Sequence, residues 1–338
     1  MKVYSASEAI WPAMERTWAY LFRRFSAETF LKLALVATLC EGFIVSFQFA
    51  APNALGDDSK IVALKSSLLA PGLLPVTILF ATALFLAGVY CFYLVTRLRF
   101  AFVHSLIHQM RQIRPAWKLY ELEAERLFTA STLIWLGFMV AAVLAFVLVG
   151  VAAYGVIATP TEDGKLDPGH FLILFFPCLL IVVTLIFIAF IAQVILIDFI
   201  LPHMAIESAT FRAAWTAVRA NMKGKRETFL SYFILRLAMP LIGGLLLAFV
   251  GWVIGSVVFG ILGVSSAGFE AMLDGPGKLR GMLEIAVQAL FLLLGGGAGL
   301  ALAVTLGGPL GVFMRTYALL FYGSHYKALG NLLDPPRV

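Results

Sequence analysis

The sequence predicts an all-α polytopic membrane protein of six transmembrane helices, with amphipathic interfacial helices on one side. Three observations lead there. Apolar residues make up 61% of the 338 residues and charged residues 13%, about half the charged share of a soluble domain. Six apolar stretches follow one another: Phe30–Ala51, Gly72–Val95, Leu127–Thr159, Phe171–Ile197, Phe229–Val264 and Ile285–Thr305. Each supplies the ~20 residues that a helix rising about 1.5 Å per residue needs to cross ~30 Å of hydrocarbon. The third and fifth exceed that length, so they must tilt or run on beyond the hydrocarbon.

The third observation is the placement of charge. With Lys32 counted at the inner edge of the first stretch, 19 of the 25 lysines and arginines lie before the first stretch, after the last, or in the second and fourth connections. Five lie in the other three connections, and Arg236 lies inside the fifth stretch. Counting the acids as well, one side carries a net +9 and the other −3. By the positive-inside rule this places both termini in the cytoplasm. The organisation expected is one integral membrane domain over 1–338: an interfacial helix at 1–29, a six-span bundle at 30–322 and a cytoplasmic tail at 323–338. No cleavable signal is expected, because two tryptophans and several charges precede the first span.

The N-terminal segment opens on Ser5-Ala6-Ser7-Glu8, a capping-box pattern. Ile10, Trp11, Met14, Trp18, Leu21, Phe22 and Phe25 then recur at helical spacing, with Arg16, Arg23 and Arg24 among them. Aromatic and apolar residues beside arginines suit a helix lying in the membrane interface. The second connection offers Arg111, Arg114 and Trp117, and the fourth Arg212, Trp215 and Arg219, closing near Gly224. Trp18, Trp117 and Trp215 are spaced by 99 and 98 residues. The spacing suggests three copies of one unit, a Trp-bearing basic helix followed by a membrane hairpin; parallel repeats of this kind are related by an axis along the membrane normal. These arginines and tryptophans, with Lys32 snorkelling from the first span, are the candidates for contact with anionic headgroups. The outer connections Thr159–Gly164 and Asp274–Gly277 read as turns, and Asp57-Asp58 as a solvated pair.

Few residues suggest chemistry. Glu41 lies about 11 residues into the first span, near mid-membrane by helical rise, where a carboxylate is costly and functional by default. Arg236 is its expected partner. Two readings of the pair stay open: a structural lock between helices, or an ion, proton or headgroup site. Asp198 and Arg97 fall at inner helix ends, where charge is ordinary. His104 and His108 share a helix face at i, i+4, a ligand spacing, but without the glutamate of a metalloprotease motif; no metal and no cofactor are expected. Gly251/Gly255 and Gly295/Gly299 match the small-xxx-small rule for close helix contact. Gly307, Gly308 and Pro309 interrupt the last span. They predict either a broken helix lining a substrate path or, preferably, a bend into a final interfacial helix carrying Phe313, Arg315, Tyr317, Phe321 and Tyr322. Cys40, Cys91 and Cys178 sit in apolar stretches without a C-x-x-C pair, as small apolar residues do.

Ile200-Leu201-Pro202-His203-Met204-Ala205-Ile206-Glu207, running into Ala213-Ala214-Trp215 and then Phe229-Leu230-Ser231-Tyr232, resembles the six-span bacterial proteins of the YciC-like group and the membrane domain of some glycerophosphodiester phosphodiesterases. His203 stands where that pattern has an aromatic residue. The resemblance implies a prokaryotic inner-membrane protein and carries no catalytic residue onto this chain.

The function expected is therefore non-catalytic: a lipid-interacting scaffold or accessory subunit, with membrane lipids and intramembrane proteins as partners and no nucleic acid. Its alternatives are a small-molecule or ion transporter using Glu41, Arg236 and a broken sixth span, and, third, a membrane-embedded lipid-modifying enzyme using the inner histidines.

Overall fold

A computed structural model describes residues 3–23, 25–41, 74–157, 168–272 and 278–334. Arg24, the first span beyond Glu41, Asp57-Asp58 and the turns at 159–164 and 274–277 lie outside the described residues, wholly or in large part. The described chain is all-helical: α1 (Ile10–Phe22), α2 (Ala27–Glu41), α3 (Leu74–Ile107), α4 (Arg114–Leu119), α5 (Glu121–Ile157), α6 (Pro168–Val194), a π-helical turn (Ile195–Ile200), α7 (Leu201–Glu207), α8 (Phe211–Met222), α9 (Arg226–Met272), α10 (Lys278–Gly323) and α11 (Lys327–Leu333). Among the described residues, five helical segments are long and apolar enough to cross a membrane: Leu74–Ile107, Glu121–Val151, Phe176–Glu207, Arg226–Val258 and Ala289–Gly323. The expected first span is represented by α2, a 15-residue helix.

The spanning helices outrun their hydropathy. α3 continues 12 residues past the end read from the sequence, and α10 reaches Gly323 rather than Thr305. Hydropathy marks where lipid contact stops, whereas a helix stops only where its backbone bonding or packing does. The extensions build the core. In α3 the side chains from Ile78 to Tyr90 are exposed, while Thr96 and Phe100–Val103 are buried. In α9 Leu241, Leu245 and Phe249 are exposed, while Phe229 and Tyr232 are buried. In α10 the burial begins near Ala303 and holds through Tyr322. One end of the molecule is thus packed protein, and the remainder is a spread of apolar helices suited to lipid.

The capping box forms as a reciprocal pair: Ser5 N–H donates to Glu8 Oε2 at 3.0 Å, and Glu8 N–H to Ser5 Oγ at 3.3 Å. Removing the hydroxyl with Ser5→Ala is expected to cost about 1 kcal/mol, read as a lower melting temperature of the purified protein; an unchanged value would mean that the first turn is held by packing alone. The buried face of α1 is made of small residues up to Thr17. Ala9, Ala13, Thr17 and Tyr20 are buried with Leu21, while Trp11, Met14 and Trp18 point away from the protein. Small residues let α1 lie close against α10. Thr210 caps α8, its Oγ1 accepting from Ala213 N–H at 3.4 Å. The chain turns from α8 into α9 at Gly224, whose φ of +82° favours glycine. Of the three Trp-bearing helices, α4 has six residues against 13 in α1 and 12 in α8.

The last span is not broken. α10 runs without interruption through Gly307, Gly308 and Pro309, and Phe313–Tyr322 are mostly buried in the core rather than lying at an interface. The glycines serve contact instead of a break. A Cβ on Gly308 would lie 2.3 Å from Ala34 Cβ, and one on Gly311 would lie 3.0 Å from the Ala37 carbonyl oxygen. Only bare backbone lets α2 and α10 approach so closely. Gly251, Gly255, Gly295 and Gly299 are buried too, with α9 and α10 packed on each other.

Candidate functional site

Glu41, the last described residue of α2, and Arg236 of α9 are in contact: Arg236 Nη2 donates to Glu41 Oε2 at 2.8 Å. They do not stand alone. Arg236 Nε donates to Asp198 Oδ2 at 2.8 Å, and Arg315 Nη1 to Asp198 Oδ1 at 3.1 Å. Arg315 Nη2 closes the ring onto Glu41 Oε1, and Tyr232 Oη donates to Asp198 Oδ2 at 2.8 Å. Two carboxylates and two guanidiniums from four elements thus form one cycle, its side chains at most 9% exposed. Mutual pairing offsets the desolvation that any one of these charges would suffer alone.

The π-helical turn makes the cycle. Pro202 has no N–H for the Asp198 carbonyl, and Leu201 N–H bonds back to the Leu196 carbonyl, five residues away. This register shift leaves the Ile197 carbonyl without its helical donor. Arg315 Nη1 takes it, at 2.9 Å. Asp198, expected at an ordinary inner helix end, and Arg315, expected on a final interfacial helix, are instead nearly fully buried. The sequence signal that could have found Asp198 is the proline four residues after it.

The cycle sits where exposed apolar surface gives way to packed core, since Thr96 of α3, Arg236 of α9 and Ala303 of α10 all mark that change. An aromatic wall closes one side: Tyr232 stacks on Phe321 with ring centroids 4.3 Å apart and on Tyr317 at 5.4 Å. On another side is a recess of ≈ 190 Å³. Cys40, Glu41, Arg99, Gln193, Asp198 and Arg236 contribute to its lining, with Phe190 and Pro240 at its apolar edge. Arg99, which sequence reasoning passed over, is held there by its Nε, which donates to the Cys40 carbonyl at 3.0 Å.

The histidine candidates contact neighbouring rings. His104 Nδ1 lies 2.8 Å from Tyr120 Oη, and the His104 and His108 rings are 4.4 Å apart. Among the described residues no group of three or more metal-ligating side chains comes together. His203 is buried, its Nε2 2.7 Å from Tyr322 Oη and its ring 4.0 Å from that of Tyr326. Tyr326 Oη donates to Glu207 Oε1 at 2.5 Å; burial and then the carboxylate at the other end of this bond push the Tyr326 hydroxyl up from its ordinary value.

The headgroup candidates divide. Trp18, Arg23, Lys32, Arg114, Arg212, Trp215 and Arg219 are exposed, with Lys32 paired to Glu28. Three others turn toward protein. Arg16 Nη1 donates to the Leu333 carbonyl at 3.2 Å, and Arg111 Nη2 to the Tyr20 carbonyl at 3.1 Å. Trp117 is half-buried under the Arg97 guanidinium, 4.9 Å from its ring, and Arg97 also pairs with Glu121. Side chains that find a carbonyl or a ring within the fold are no longer offered to a headgroup.

A family model matches residues 4–332, nearly the whole chain, and describes a family of unknown function, DUF7544. The chain belongs to the DUF7544 family. An uncharacterised family fits what the sequence suggested, but under a different name from the YciC-like group. No curated protein and no solved structure matches the chain.

Proposed function

We propose that this protein is a non-catalytic scaffold or accessory subunit of the cytoplasmic membrane, a single domain with six spans and both termini in the cytoplasm, that gathers anionic lipid at its packed end. The observation that carries this reading is the outward face of α1. Trp11 and Trp18 are 69% and 67% exposed there, with Met14 between them and Arg23 just beyond the helix. α8 repeats the chemistry with exposed Arg212, Trp215 and Arg219. Indole rings favour the headgroup level of a bilayer, and guanidiniums there attract anionic lipid. The ion cycle fits the same reading as the lock that holds α2, α9, α10 and the π turn in one rigid platform. The transport alternative keeps Glu41 and Arg236 but not the break at Gly307–Gly311, where α10 is continuous.

Extraction in a mild detergent followed by lipid analysis tests this. Anionic lipid is expected to be enriched over its share of the membrane. Each exposed arginine near the surface contributes about 1 kcal/mol, so the double variant Arg212→Gln with Arg219→Gln is expected to lower that enrichment several-fold. Wild-type protein carrying lipid in the bulk proportion, or an unchanged enrichment in the double variant, would sink the proposal.

A further inference from the structure

The recess beside the ion cycle carries more charge than the cycle itself balances. Three guanidiniums, of Arg99, Arg236 and Arg315, meet two carboxylates, of Glu41 and Asp198. Among the described residues one positive charge is in surplus, and it belongs to Arg99. Among the described residues no carboxylate pairs with Arg99, and Nε makes its one hydrogen bond. That bond to the Cys40 carbonyl fixes the plane of the group and leaves Nη1 and Nη2 as an unengaged fork. Arg236 lines the same recess, and its Nη1 takes no part in its bonds to Glu41 and Asp198. Gln193 of α6 also lines it, bringing an amide that can donate. A lone cation at the border of hydrocarbon is costly without a counter-ion.

We infer that the recess holds one phosphate oxyanion, that of an anionic membrane lipid, on Arg99, Arg236 and Gln193. A phosphodiester supplies the single negative charge that balances the cluster, and its paired oxygens match the guanidinium fork. A water needs roughly 15 Å³ of such space, so the ≈ 190 Å³ present admits a phosphate group but no whole lipid. The acyl chains therefore stay in the bilayer. Their way out is the apolar edge between Phe190 of α6 and Pro240 of α9, two helices without extended packing on each other. This site rests on the lipid-gathering reading but differs from the exposed arginine belt in residues, burial and stoichiometry.

The test is native mass spectrometry of delipidated protein in neutral detergent, titrated separately with phosphatidylglycerol, phosphatidylcholine and inorganic phosphate. Wild-type protein is expected to hold one phosphatidylglycerol more tightly than the rest, and Arg99→Gln to weaken that one by roughly tenfold or more. Gln193→Glu is expected to abolish it. This second variant sets a carboxylate beside Arg99, so it balances the charge within the protein, and a retained melting temperature separates lost binding from lost fold. Arg212→Gln with Arg219→Gln should thin the loosely held lipids and spare the tight one. Should both recess variants keep the tight lipid, the site is overturned while the belt reading stands. Phosphatidylcholine bound as tightly would overturn the charge argument. Inorganic phosphate displacing the lipid at equal concentration would overturn the lipid as the source of the oxyanion.

Discussion

Replacing Asp198 with alanine is expected to destabilise the packed end by about 3–5 kcal/mol, because it leaves buried guanidiniums without a counter-charge. Asp198 accepts from Arg236, Arg315 and Tyr232 at once and is 1% exposed. Asp198→Asn is expected to cost nearly as much, since it keeps the volume and loses the charge. The double replacement Asp198→Leu with Arg236→Leu should cost less than Asp198→Ala alone, because Glu41 and Arg315 then balance each other. Glu28→Gln, in an exposed pair with Lys32, should stay within about 0.5 kcal/mol of the parent. Denaturant titration of the purified protein in detergent, followed by tryptophan fluorescence, reads all four. A loss below about 1 kcal/mol for Asp198→Ala would mean that the cycle is solvated and does not lock the helices.

Gly308→Ala is expected to be more damaging than a methyl group added at Gly296, Gly297, Gly311 or Gly323 of α10. The new Cβ would meet Ala34 at 2.3 Å from its Cβ and 2.5 Å from its Cα. Part of the obstruction is backbone, so no rotamer relieves it, and one helix must move. Overpacking of this kind costs about 1–3 kcal/mol, here with a second consequence. α2 carries Glu41, so pushing α2 away draws that carboxylate from Arg315 and Arg236. Gly296→Ala and Gly297→Ala make the matched control. Nothing lies within 4 Å of a Cβ at either position, and both are expected to be neutral or to stabilise by up to about 1 kcal/mol through helix propensity. Equal melting temperatures for Gly308→Ala and Gly296→Ala would refute the close approach of α2 and α10.

The difference between Glu41 and Asp198 shows where sequence reasoning reached its limit. Glu41 and Arg236 stand inside apolar runs, where any charge is conspicuous, and both were found. Asp198 and Arg315 stand near the ends of such runs, where charge is cheap when the helix end is solvated. Hydropathy, taken as the end of the helix, makes Asp198 an ordinary end charge and puts Arg315 on a separate interfacial helix. α3, α7 and α10 continue past that point into protein, so positions counted as interfacial are buried. Arg99 was missed for the same reason. Gly307-Gly308-Pro309 misled differently: glycine and proline weaken a helix in isolation, but what faces them, the backbone of α2, is far away in the chain.

The sequence by itself determined the solvent this protein lives in, the helical class, the order of its apolar segments and the capping box at Ser5. These depend on composition, periodicity and contacts within a few residues, which are local quantities. Only the tertiary structure decided that α10 is continuous, that α1 turns its tryptophans outward and its alanines in, and that Glu41, Asp198, Arg236 and Arg315 close into one cycle beside an unbalanced Arg99. Those outcomes rest on which helices approach within a few ångströms across a long stretch of chain. Whether a charge is costly, paired or free is a property of that neighbourhood rather than of its place in the sequence.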